Sequence, residues 1–186
     1  MRPSPRFARS RRAAALVALA VGAIVAAAIP ASAHVAITPG SATRGSFSMF
    51  SFSVPNEKDD ASTVKVEITF PTDTPIASVS VLPLAGWTWT AEKTTLATPV
   101  KTDDGTVTEA VSKITWTGGT IAPGEFQLFT VSAGPLPTKG TQVVFKAVQT
   151  YSDGSVVRWI ESTPKGGPEP EFPAPVLTLT RRARGG

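Results

Sequence analysis

Cysteine is absent from this 186-residue chain. No disulfide framework can form, and thiolate metal sites, including blue-copper and cysteine-zinc centres, are excluded. Histidine occurs once, so no Ser/His/Asp arrangement is assigned and no second imidazole is on offer to a metal. The two methionines are Met1 and Met49, too few for a methionine-rich Cu(I) site. Gly118-Gly119 and Gly166-Gly167 do not make a phosphate-cradling loop. Asp59, Asp60 and Asp73 lack the spacing of a calcium-binding EF-hand loop. No internal repeat is visible.

What is present begins with an amino-terminal segment unlike the rest. Met1 to Arg12 carries Arg2, Arg6, Arg9, Arg11 and Arg12 and no acid, Ala13 to Ile29 is an apolar run, and Ala31-Ser32-Ala33 has a small-x-small exit. This is the pattern of a secretory signal peptide, residues 1–33, cleaved before His34. The competing reading is an uncleaved membrane anchor, since the run only just reaches spanning length. Ser10-Arg11-Arg12 also fits a twin-arginine signal, and the export route stays open.

The formal net charge of the whole chain is +4, from 18 basic and 14 acidic residues. Cleavage removes five arginines and no carboxylate, which leaves the mature chain at a formal −1. A nucleic-acid or anionic-membrane function therefore has no charge to support it. The remaining 153 residues make one ordinary domain. Its expected bounds are 34–180, followed by a basic tail at 181–186. No apolar span follows, so the protein is expected to be released into the extracytoplasmic space.

The mature sequence reads as short alternating segments bounded by Pro, Gly, Asn and Asp, with no helical period. Val64, Val66, Ile68 and Phe70 alternate with Lys65, Glu67 and Thr69, so one strand face is buried and the other wet. Phe47 and Met49 are out of parity with Phe50, Phe52 and Val54, which predicts a bulge near Met49. Further strands are expected at Ile76 to Val81, Trp87 to Ala91, Thr106 to Thr117, Phe126 to Ala133, Thr141 to Tyr151, Ser155 to Glu161 and Val176 to Thr180. The total, roughly nine strands, suits an all-β sandwich of immunoglobulin-like type. Asp153-Gly154 predicts a tight hairpin that brings Gln149 and Trp159 together. Asp103-Asp104-Gly105 reads as a turn, Trp87, Trp89 and Trp116 as core or its rim, and Pro164 to Pro175 as an extended connection.

The one histidine stands directly after the expected cleavage point. A free amino group on a histidine can chelate a metal through the α-amine and imidazole Nδ1 together, without help from the fold. Reference pKa values near ~7.7 and ~6.5 leave little proton competition at neutral pH. Nitrogen and oxygen donors in a flattened arrangement suit Cu(II), which also heads the divalent affinity order. Read alone, His34 is also compatible with a polar residue merely tolerated at a new terminus.

The wider pattern adds to this. His34-Val35-Ala36-Ile37-Thr38-Pro39, Val54-Pro55-Asn56-Glu57, Gly86-Trp87, Gly124-Glu125-Phe126-Gln127-x-Phe129 and Gln149-x-Tyr151-x-Asp153-Gly154-Ser155-x-Val157-x-Trp159 occur in this order. Together they resemble the YcnI-type copper-binding domain over about His34 to Thr180. The resemblance implies a cupredoxin-like β-sandwich that binds Cu(II) through a monohistidine brace. It puts the brace histidine on His34, the ligand carboxylate on Glu57 and a metal-proximal tryptophan, not necessarily a ligand, on Trp159. Without it, Glu57 reads as a solvated loop acid beside Lys58, Asp59 and Asp60, and Trp159 as core packing. Should Glu57 not serve, Glu67 and Glu161 are the next carboxylates to consider.

Three functions are compatible with these features. The leading one is an exported Cu(II)-binding protein, not an enzyme, acting in copper acquisition, delivery or homeostasis, with a membrane copper importer as a possible partner. A mono-copper redox enzyme is the second, weakened by the lack of a second histidine ligand. A metal-independent adhesive or structural sandwich is the third.

Overall fold

Alternation of apolar and polar side chains decides this architecture, because a strand buries every second residue and a sheet so formed must cover its apolar face with another. The computed structural model describes residues 34–102, 105–164 and 166–181. The expected signal peptide, the Asp103-Asp104 part of the expected turn and residues 182–186 of the expected tail lie outside them.

The described residues form twelve strands: Ala36–Thr38 (β1), Ser41–Thr43 (β2), Ser48–Pro55 (β3), Thr63–Thr69 (β4), Ser78–Val81 (β5), Thr88–Thr102 (β6), Gly105–Ile121 (β7), Phe126–Gly134 (β8), Gln142–Val144 (β9), Lys146–Tyr151 (β10), Val156–Trp159 (β11) and Val176–Thr180 (β12). They are arranged as a four-stranded sheet of order β1-β3-β8-β5, a five-stranded sheet of order β11-β10-β4-β7-β6 and a three-stranded sheet of order β2-β12-β9. The fold is all-β and immunoglobulin-like, as expected. The count exceeds nine because β1, β2 and β9 are three-residue strands without a readable period of their own.

One core joins the sheets. Phe50, Phe52 and Val54 point inward from β3, Phe129, Val131 and Ala133 from β8, Val66 and Ile68 from β4, and Ile114 and Trp116 from β7. The rings of Phe50, Phe52, Phe70 and Phe145 meet at centroid separations of 5.2 to 6.3 Å, mostly edge to face. Such contacts add about 0.5–1.5 kcal/mol per pair to simple burial. Phe145 also marks where the stretch read as a single strand, Thr141 to Tyr151, changes sheets. Residues before it pair with β12 and those after it with β4, while the Phe145 N–H donates to the Pro175 carbonyl at 2.9 Å.

Two sequence expectations about register need correction. No bulge occurs near Met49: β3 pairs with β8 without a shift from Ser48 to Pro55, and Phe47 and Met49 are 63% and 66% exposed. Their parity simply places these apolar side chains on the outer face of the sheet, which a monomer surface tolerates. Within β4 the alternation breaks instead at Val64, which is only half-buried, where the pairing with β7 shifts between Thr63 and Lys65. That irregularity leaves Thr63 fully buried. β6 and β7 form a long hairpin; β6 runs well past the expected Trp87 to Ala91, because its polar outer half carries no alternation to read, while β7 begins within one residue of the expected Thr106 and continues past Thr117 to Ile121. Trp87 and Trp116 are core, whereas Trp89 is 44% exposed.

Candidate metal centre

His34 enters the fold at the start of β1. Val35 and Ile37 are buried, and Ala36 pairs with Ser53 of β3, so His34 is held at the Pro55 end of that strand. Its side chain is 19% exposed and its ring lies 5.6 Å from the ring of Trp159, tilted by 58°. Trp159, at the end of β11, is fully buried and also packs against Phe172, with ring centroids 5.5 Å apart. It is therefore a core residue and, at the same time, the wall behind the histidine.

The wall is fixed by hydrogen bonds. The β10–β11 hairpin turns at Asp153 and Gly154, the latter with φ 83°, and sets Gln149 beside Trp159 as expected. The Trp159 indole N–H donates to Gln149 Oε1 at 3.2 Å. Gln149 Nε2 in turn donates to the Pro55 carbonyl at 2.8 Å and to Thr63 Oγ1 at 2.6 Å. The amide orientation follows from chemistry, since an indole can only donate and a carbonyl only accept. One buried side chain thus ties β3, β4, β10 and β11 together behind His34. In the sequence Gln149 is visible only as a motif member without a role, and Thr63 does not stand out at all. A buried amide beside an indole on a predicted hairpin is the signal that could have found the first of them.

Glu57 follows β3 in an exposed loop. Asn56 anchors that loop, its Nδ2 donating to the Ala61 and Ile121 carbonyls at 2.8 and 2.9 Å. The contacts of Glu57 are with Tyr151, whose hydroxyl meets the Glu57 backbone and the Thr63 side chain. Next to them Lys58 forms an ion pair with Asp153 at 2.6 Å and lies 5.0 Å from the Tyr151 ring centre. The lysine, together with Ser155, holds the Asp153 carboxyl well below the usual carboxylate range.

Burial raises the Tyr151 phenol above its ordinary value of 10.0, and the Glu57 charge adds to this, against the hydrogen bonds from the Glu57 backbone and Thr63. A folded pKa above the unfolded one means that the associated stability is complete below about 10 and is lost as pH rises through the folded value. Tyr151 is the only tyrosine. Less than half of its tyrosinate absorbance should therefore have developed in the folded protein at pH 10, with the midpoint reached at higher pH. An ordinary midpoint in the folded state would contradict this environment.

The carboxylate found against the histidine is a different one. Glu169 Oε1 lies 3.3 Å from His34 Nδ1. Neither alternative carboxylate competes for that position: Glu67 pairs with Lys65 and Lys113, and Glu161 Oε2 accepts the Phe172 N–H. Glu169 sits in the Pro-rich connection between β11 and β12, where composition gives no hint of a contact with the residue that leads into β1. Among the described residues no three His, Cys, Asp or Glu side chains gather into a cage for an ion.

Residues 34–179 match the family described as "Domain of unknown function (DUF1775)". The copper-binding protein CutI of Bacillus subtilis (strain 168) is 33% identical over 112 residues, 59% of this chain and 47% of that protein. The aligned stretch thus spans about half the length of that curated relative. A crystal structure of an uncharacterized protein from Nocardia farcinica, described as having an immunoglobulin-like fold, superposes with a TM-score of 0.63 at 40% identity, over 80% of this chain and 99% of that one.

Proposed function

This chain belongs to the DUF1775 family, the YcnI-type family of its sequence resemblance, and from that premise we propose that its mature form is an exported Cu(II)-binding protein that grips the ion through His34. The observation that carries the reading is the position of His34: the only histidine, directly after a signal-peptidase pattern, backed by a buried and hydrogen-bonded Trp159. In the precursor, the His34 nitrogen is locked in a peptide bond to Ala33. After cleavage it becomes an amine, and one residue then offers two nitrogens.

Glu57 is the family-based choice for the ligand carboxylate, and Trp159 is positioned to shield the ion from water. The protein's role is to hold or hand over copper outside the cytoplasm, with a membrane copper importer as the natural recipient. Oxidative chemistry is not part of this reading, because one imidazole supplies half of the usual two-histidine arrangement. The immunoglobulin-like fold by itself also suits an adhesive sandwich, which would need no metal.

A competition titration on processed protein separates these functions. One Cu(II) should bind per chain, and Zn(II) more weakly, as the divalent order dictates for nitrogen and oxygen donors. Zinc binding as tight as copper binding would count against the copper reading, and the absence of any metal binding would favour the adhesive one.

A further inference from the structure

The contact between His34 and Glu169 has no place in the ligand set above. We infer that Glu169 is a copper ligand of this chain, and that the loop segment of residues 166–171 presents its carboxylate to the site. The inference rests on the copper reading and adds a donor to it.

The nitrogen facing Glu169 is Nδ1, the one that a chelate ring with the α-amine requires. Two donors bound at about 2.0–2.2 Å on adjacent positions of a tetragonal ion stand roughly 2.9 Å apart. The observed 3.3 Å between Nδ1 and Oε1 is within a few tenths of that spacing. Charge points the same way: amine and imidazole are neutral donors, so carboxylates alone offset the +2 of the ion.

The loop is also held in place for this task. Its base is pinched where the Ile160 and Glu161 N–H groups donate to the Phe172 carbonyl at 3.1 and 3.0 Å and the Ala174 N–H donates to the Glu161 carbonyl at 2.8 Å. The Glu161 carboxylate accepts the Phe172 N–H at 3.1 Å, and the Phe172 ring packs on Trp159. The loop is therefore fastened to the same tryptophan that backs His34. Within it, Pro164, Pro168 and Pro170 restrict the backbone, and the Gly167 N–H closes a turn on the Pro164 carbonyl at 3.0 Å. The Glu169 side chain itself is 64% exposed, so it can swing away without disturbing the core.

The test compares Cu(II) affinity and the electron paramagnetic resonance spectrum of processed parent protein, Glu169→Gln and Glu57→Gln, each checked by urea denaturation. Glu169→Gln should unfold at the parent midpoint, bind copper roughly 10- to 100-fold more weakly and show a shifted spectrum. If Glu169 merely hydrogen-bonds the imidazole, its removal would leave copper affinity unchanged or raise it, and the inference would be overturned. A parent that binds no Cu(II) would sink the copper reading and this inference with it. A parent that binds, alongside a Glu169→Gln variant with equal affinity and spectrum, would sink the inference alone.

Discussion

Processed protein carrying one additional residue ahead of His34 is expected to fold normally and to bind Cu(II) on the order of a hundredfold more weakly. The reason is that amine and imidazole on a single residue act as an intramolecular pair, so the second donor binds at high effective concentration once the first is in place. An added Met or Gly keeps the imidazole, Glu57, Glu169 and Trp159 and removes only the amine from its ring. The fold has no reason to respond, since β1 begins at Ala36 and the first buried side chain is Val35. Matched urea midpoints and a paired copper titration would show this. Equal affinities for the two forms would mean that the imidazole binds without the amine. If the amine is a ligand, cleavage before His34 completes the site, and the uncleaved chain cannot load copper at full strength.

A second large effect is expected from Gln149→Leu, which should lower stability by roughly 2–5 kcal/mol. Leucine fills a similar volume but leaves the Trp159 N–H without its acceptor and takes from the Pro55 carbonyl the donor now bonded to it. Each buried polar group left without a partner costs about 1–3 kcal/mol. Thr63 keeps its contact with Tyr151 and is less affected. Because Trp159 then loses the bond that fixes its plane behind His34, copper affinity should fall along with stability. Urea denaturation measures the first effect and copper titration the second. A variant with the parent's denaturation midpoint would show that the Gln149 network is dispensable.

Legibility in the sequence varied with the kind of signal. The limits of β12 are readable because Leu177 and Leu179 alternate with threonines between a proline-rich stretch and a charged tail. The β10–β11 hairpin is readable from Asp153-Gly154, a local cue to local geometry. The change of sheet at Phe145 is not, since alternation continues through the residue and only the long-range partners differ. The extended arm of β6 is hidden for a related reason: with few apolar neighbours to face, its outer half shows no period.

The candidate site divides in the same way. His34 stands out because its chemistry depends on sequence position, immediately after a cleavage pattern. Trp159 and Glu57 come only through resemblance, since nothing in their flanking residues separates them from a core indole and a loop acid. Glu169 is out of reach, because its meeting with His34 depends on where the β11–β12 connection passes over the end of β1. Periodicity and composition carry no information about such a crossing.

Two nitrogens of one residue on one copper ion are the core of the proposed site, and isotope labelling addresses them directly. Because His34 is the only histidine, protein grown with nitrogen-15 histidine carries the label at its α-amine and its ring and at no other residue. Electron paramagnetic resonance and electron spin echo spectra of the processed, Cu(II)-loaded form should then show two directly bound nitrogens, both altered by the label. Only one labelled nitrogen on the ion, or bound nitrogens that the label leaves unchanged, would contradict the amino-terminal brace.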